Sequence, residues 1–158
     1  MENKKFKILI VDAMRYPLRE GLYNIINQCN DEFEPCSIAV ASPLEYKDGL
    51  TDILNIEIPE FDIAFINADD IVNEMHKLVD YFKQNADASQ KIKVLYNQND
   101  LDWDKQYAGS DKSTKKFLSQ LNKLPHTICK EEDNKIEIMV ETILAMLQEQ
   151  KQNIILNF

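Results

Sequence analysis

The residues of this sequence that suit chemistry at a shared site each stand at the end of a short apolar run. Asp12, Asn67 and Lys130 come directly after such runs, and Tyr96 and Asn97 end another one. A carboxylate can hold a metal ion or pair with an amine, and a lysine can bind phosphoryl oxygens or a carboxylate. Which of these roles the residues can take depends on the elements that position them.

Short runs rich in Ile and Val predict strands that are buried on both faces. Five such strands are expected, at residues 8–11, 36–41, 63–66, 92–96 and 127–129. Apolar residues at helical spacing predict helices at about 17–29, 43–54, 69–82, 113–124 and 134–149. This alternation predicts an α/β domain with a five-stranded parallel sheet and helices on both faces. Sites in such sheets lie at the carboxyl ends of the strands, where the polar residues named above are expected to meet.

Composition limits the classes of protein to which this chain can belong. A length of 158 residues suits one domain, expected at 1–150, with 151–158 as a tail or the start of a linker. The net charge of −9 argues against nucleic-acid binding by this chain. Three cysteines without a CxxC pair favour free thiols in the cytoplasm. The sequence contains no run of about 18 apolar residues, so no membrane span is predicted.

Three segments together resemble the receiver domain of bacterial response regulators. ILIVD at 8–12 with PLREGL at 17–22, PEFDIAFIN at 59–67 and TICKE at 127–131 follow the order and spacing of that family. The first of them is most similar to receivers of helix-turn-helix transcription regulators. The resemblance covers about residues 7–148 and implies a doubly wound, flavodoxin-like sheet.

The resemblance also shows where the phosphotransfer site of the family is altered. A receiver holds Mg²⁺ with two acids after the first strand and with the phosphoacceptor aspartate, and it binds the phosphoryl group with a small hydroxyl and a lysine. The corresponding positions here are Asp12, Ala13, Asn67, Tyr96 or Asn97, and Lys130. Only the first acid and the lysine match. An amide is no nucleophile and is a weak ligand for Mg²⁺, so we expect no phosphotransfer at Asn67 and no bound cofactor.

The expected function is therefore regulatory and not enzymatic. By resemblance, a protein partner or a second copy of the chain would dock on the fourth helix, fifth strand and fifth helix, about residues 113–147. Lys130 is expected to pair with Asp12 and donate to Asn67, or else to be a solvated lysine at a strand end. Two alternatives stay open. Asp69 or Asp70, otherwise helix caps, could accept phosphate with Mg²⁺, or the altered pocket could bind a small ligand.

The remaining possible metal ligands do not have the pattern of a metal site. The loop at 100–111 spaces its acids as a calcium-binding EF-hand loop does, but it lacks the glycine and the bidentate glutamate of that loop. It is interpreted as an acidic surface loop, in which Trp103 and Tyr107 could contact a partner or fold back over the site. His76 and His126 lack the spacing of metal ligands.

Overall fold

The structure is a computed structural model, and it describes part of the chain. The described residues are 6–12, 20–22, 24, 36–68, 71, 74–97, 112–123, 127–129 and 132–156. Within the predicted first helix, residues 20–22 and 24 have helical backbone.

The centre of the molecule is an all-parallel sheet. Its strands are β1 (Phe6–Val11), β2 (Cys36–Ala41), β3 (Ile63–Asn67) and β4 (Ile92–Asn97), and a three-residue segment, β5 (Thr127–Cys129), pairs with β4. The spatial order is β2-β1-β3-β4-β5. All neighbouring pairs are parallel. The prediction of an α/β fold around a parallel sheet is confirmed.

Three helices of ten or more residues lie in the described part of the chain. They are α1 (Met75–Gln84), α2 (Lys112–Leu121) and α3 (Glu132–Leu156). α2 corresponds to the predicted fourth helix and α3 to the predicted fifth. α3 begins two residues before the predicted start and continues past residue 150. No helix among the described residues combines the length and apolar character needed to cross a bilayer.

Successive side chains of a strand point to opposite faces of the sheet, and here they build two cores. The α3 core contains Phe6, Ile8, Ile10, Ile63, Phe65 and Leu95 of the strands, together with Leu22 and Met139, Ile143 and Leu147 of α3. The α1–α2 core contains Leu9, Val11, Ala64, Ile66, Val94 and Tyr96, together with Met75 and Leu78 of α1 and Phe117 and Leu121 of α2. The sheet is therefore buried on both faces.

The chain between β2 and β3 differs from the predicted helix at 43–54. Ser42 caps it as expected, since its Oγ accepts from the Leu44 N–H at 3.3 Å, but the helix that begins at Pro43 is a 3-10 turn that ends at Glu45. The chain then turns at Gly49, whose φ of 56° lies in the left-handed region that favours glycine. Beyond it follow one α-helical turn (Leu50–Asp52), a π-helical turn (Ile53–Glu57) and a 3-10 turn (Ile58–Glu60). Short helical turns on either side of Gly49 thus replace the predicted helix.

Hydrogen bonds connect the turn at Gly49 to the start of α1. The Glu74 carboxylate accepts from the Leu50 N–H at 3.1 Å and from Lys77 Nζ at 2.8 Å. Lys77 also donates to the Asp48 carbonyl at 3.1 Å. A β-carbon at residue 49 would overlap the Glu74 carboxylate, so this contact needs glycine for its space as well as its φ.

Candidate functional site

Within the described residues, four polar or charged side chains are buried. They are Asp12 at 1% exposure, Ser42 at 3%, Asn67 at 5% and Lys135 at 1%. The first three end or directly follow β1, β2 and β3, so they lie at the carboxyl edge of the sheet. The fourth reaches that edge from the first turns of α3. Burying a polar group is costly unless it has a hydrogen-bond partner, so four such groups at one edge of the sheet mark the candidate site.

Asp12 and Asn67 occupy neighbouring strand ends. Each comes one residue after Val11 and Ile66, which are paired in the register of β1 with β3. Neighbouring strands lie about 4.8 Å apart, so the two residues are side by side. The Asp12 N–H donates to the Ala41 carbonyl at 3.2 Å, which holds this strand end against β2.

Strand alternation sends both side chains to the same face of the sheet. Asp12 continues the row of Ile8 and Ile10, and Asn67 continues the row of Ile63 and Phe65. Both rows belong to the α3 core. The carboxylate and the amide therefore extend toward the face that α3 covers.

Lys135 joins this pair from α3. Its Nζ donates to Asn67 Oδ1 at 3.0 Å, with both side chains buried. Met139, Ile143 and Leu147 follow it at intervals of four residues, and all three are buried in the α3 core. Lys135 thus begins the inward stripe of the helix, so its stem lies along the core and its ammonium reaches the sheet edge.

The position of Lys135 is electrostatically unusual for a helix. A cation in the first turns meets the positive end of the helix dipole, which disfavours it by about 0.3–1 kcal/mol. The burial of its ammonium adds a desolvation cost. Its hydrogen bond to Asn67 offsets part of both costs, so the lysine head group belongs to the site.

The sequence did not indicate Lys135 as a site residue, and the hydrogen bond to Asn67 was predicted for Lys130. The sequence pattern that could have indicated Lys135 is its four-residue spacing from residue 139, which continues to residues 143 and 147. Lys130 itself lies outside the described residues, as do Ala13, Asp69 and Asp70.

The structure describes the side chain of one of the two residues predicted for the hydroxyl position. Tyr96 is fully buried in the α1–α2 core, where its ring meets Phe117 edge-on at a centroid distance of 5.5 Å and an angle of 64°. Its ring therefore packs as a core side chain. Asn97 is the last residue of β4 and pairs with Cys129, and its side chain is outside the described part.

The chemistry of this donor set does not fit the Mg²⁺ that the receiver resemblance implies. Ala13 has no side-chain ligand, and the Asn67 oxygen already accepts from an ammonium group. Mg²⁺ needs near-octahedral oxygen ligation, usually with carboxylates, and of the four buried polar side chains described here Asp12 alone is a carboxylate. Among the described residues, no group of three or more His, Cys, Asp or Glu side chains could hold a metal ion.

The other residues considered as metal ligands or partner contacts lie away from this edge or outside the described residues. His76 is exposed on α1. The acidic loop at 100–111, with Trp103 and Tyr107, and also His126 lie outside the described residues.

Comparisons with models of protein families, with curated proteins and with solved structures find no match to this chain. The resemblance to receivers is therefore carried by the residues of this sequence, and what the geometry contributes is an amide and an ammonium bonded to each other at the carboxyl edge of a parallel sheet.

Proposed function

We propose that this chain is an atypical receiver-like regulatory domain of two-component-type signalling or transcription regulation. It acts through contacts with a protein partner or with a second copy of itself, and independently of phosphorylation. The observation that carries the proposal is the buried hydrogen bond from Lys135 to Asn67. An amide stands where the resemblance places a nucleophilic aspartate, and its oxygen is already engaged.

The proposed fold is the doubly wound, flavodoxin-like arrangement. Its support is the strand order β2-β1-β3-β4-β5, which is the order of that class of sheet. The division of the strand side chains between an α3 core and an α1–α2 core supports helices on both faces. This arrangement makes the carboxyl edge the natural place for a regulatory site.

Phosphotransfer at residue 67 is disfavoured on chemical grounds. The side-chain amide of Asn67 has no nucleophilic oxygen of the carboxylate type, and it cannot form the acyl phosphate of a receiver. Asp12, Asn67 and Lys135 are also nearly sealed from solvent, since each side chain is at most 5% exposed. This closure favours a fixed site over the alternative of a small-ligand sensor.

The proposed docking surface is made by α2, β5 and α3. On α3, Ala145 is exposed and lies outside the α3 core, so a bulky charge there changes the surface and leaves the core intact. Leu44, at 75% exposure between β2 and β3, gives a matched control site away from this surface. The pair Ala145→Arg and Leu44→Arg therefore separates the proposed surface from a general effect of added charge.

Sedimentation velocity over a concentration series tests the proposal for the full chain. We expect self-association that is the same with and without acetyl phosphate and Mg²⁺, weakened by Ala145→Arg and unchanged by Leu44→Arg. Association that appears only with the phosphodonor would contradict phosphorylation independence. A chain that remains monomeric at high concentration would remove the dimer form of the proposal.

A further inference from the structure

The candidate site contains a built-in positive charge. We infer that the ammonium group of Lys135 is a tethered replacement for the divalent cation of a receiver site, so that this domain holds its carboxyl edge together without metal. The inference rests on the proposed function, because the comparison with a metal site comes from the receiver resemblance.

The buried charges at this edge of the sheet are of opposite sign. Among the described residues, Asp12 and Lys135 are the two formally charged side chains that are buried, each at 1% exposure. One is an acid and the other a base, and both belong to the same edge of the sheet. A buried charge of one sign is costly, and an opposite charge nearby offsets that cost in the way a bound cation would.

The ammonium group of Lys135 lies where a cation could be bound. Lys135 Nζ is 3.0 Å from Asn67 Oδ1, and Asn67 is the strand-end neighbour of Asp12. Carboxylate and amide oxygens are ligands for hard cations, and they are equally acceptors for the three N–H groups of an ammonium. The lysine head group thus binds one of the oxygens that a metal ion would need, beside the strand end that carries Asp12.

The place of Lys135 in α3 is unfavourable for a lysine. The apolar stripe of Met139, Ile143 and Leu147 would be extended most simply by another apolar residue, and the helix dipole disfavours a cation near its start. Lys135 occupies that place despite both effects. A requirement for a positive charge at the sheet edge explains its presence there.

The inference predicts that the native chain does not respond to divalent cations at this edge. Amide NMR with added Mn²⁺, whose unpaired electrons broaden nearby signals, reports binding directly. We expect no selective broadening at Asp12 and Asn67 in the native chain at millimolar Mn²⁺. Selective broadening of the Asp12 and Asn67 signals in the native chain would by itself overturn the inference.

Three variants complete the test. Lys135→Ala removes the ammonium and opens space, so we expect Mn²⁺ broadening at Asp12 and Asn67 and a melting temperature that rises with Mg²⁺. Lys135→Ala with Asn67→Asp adds a carboxylate and should bind more tightly. Lys135→Met is the matched control, because it removes the charge but fills the space, and it should stay insensitive to both ions.

The outcomes are distinguishable from those of the functional proposal. If Lys135→Ala is unfolded in buffer, recovery of its circular dichroism in Mg²⁺ supports the inference. Failure of both alanine-containing variants to take up an ion, whether folded or unfolded, would overturn it. Self-association of the native chain is measured separately by sedimentation, so a failed cation test leaves that result standing.

Discussion

Lys135→Met isolates the energetic role of the buried ammonium. Methionine keeps much of the length of the stem and its contact with the α3 core, but it leaves the Asn67 oxygen without its donor. Leaving a buried acceptor without its charged donor costs about 1.5–3 kcal/mol. For a chain of this size, each kcal/mol lowers the melting temperature by about 2–4 °C. We therefore expect a decrease of about 3–12 °C in thermal denaturation.

A matched variant and a double-mutant cycle make this prediction specific. Lys77→Met breaks the ion pair with Glu74, whose side chains are 29% and 22% exposed, and it should cost at most about 1 kcal/mol. Asn67→Leu combined with Lys135→Met removes both buried partners, so its cost should fall short of the sum by about 1.5–3 kcal/mol. A loss for Lys135→Met no larger than that of Lys77→Met, or strict additivity with Asn67→Leu, would refute the reasoning.

Three further predictions concern other parts of the chain. Gly49→Ala places a side chain at positive φ and against the Glu74 carboxylate, so urea denaturation should show a loss of about 1–3 kcal/mol; an unchanged midpoint would contradict the fastened turn. Tyr96→Thr, which introduces the small hydroxyl of a receiver, empties space beside Phe117 and should cost about 3–5 kcal/mol in the same assay, whereas a neutral effect would deny its role in the core. Burial raises the pKa of the Cys36 thiol to about 11, and the thiolate is the reactive form. In a variant whose other two cysteines are serine, alkylation at pH 8 should be about two orders of magnitude slower than for a free cysteine and should accelerate as the pH rises toward 11; a rate like that of a free cysteine would contradict this.

The fold was predictable where the sequence pattern has one physical interpretation. Residues 8–11, 63–66 and 92–96 are apolar runs too short for buried helices, and they form β1, β3 and β4. The segment at 43–54 was predicted incorrectly as a helix. Its cap and its first residue were right, but Gly49 can adopt a positive φ at little cost, and the carboxylate that fixes it comes from residue 74. Such a distant contact leaves no local signal.

The positions of Asp12 and Asn67 could be predicted from the sequence, whereas that of Lys135 could not. Asp12 and Asn67 follow from the rule that parallel strands present their carboxyl ends at one edge. Lys135 did not follow, because a lysine beside apolar residues in a helix is ordinarily solvated. Whether it turns inward depends on the register of α3 against the sheet, and that register is a tertiary property.

Phosphorylation independence is tested most directly by the mass of the intact chain after incubation with acetyl phosphate and Mg²⁺. We expect that the mass does not change, because Asn67 cannot accept a phosphoryl group and its oxygen is held by Lys135. A phosphorylated product that disappears in Asp69→Asn or Asp70→Asn would contradict phosphorylation independence and would establish a working phosphoacceptor in this chain.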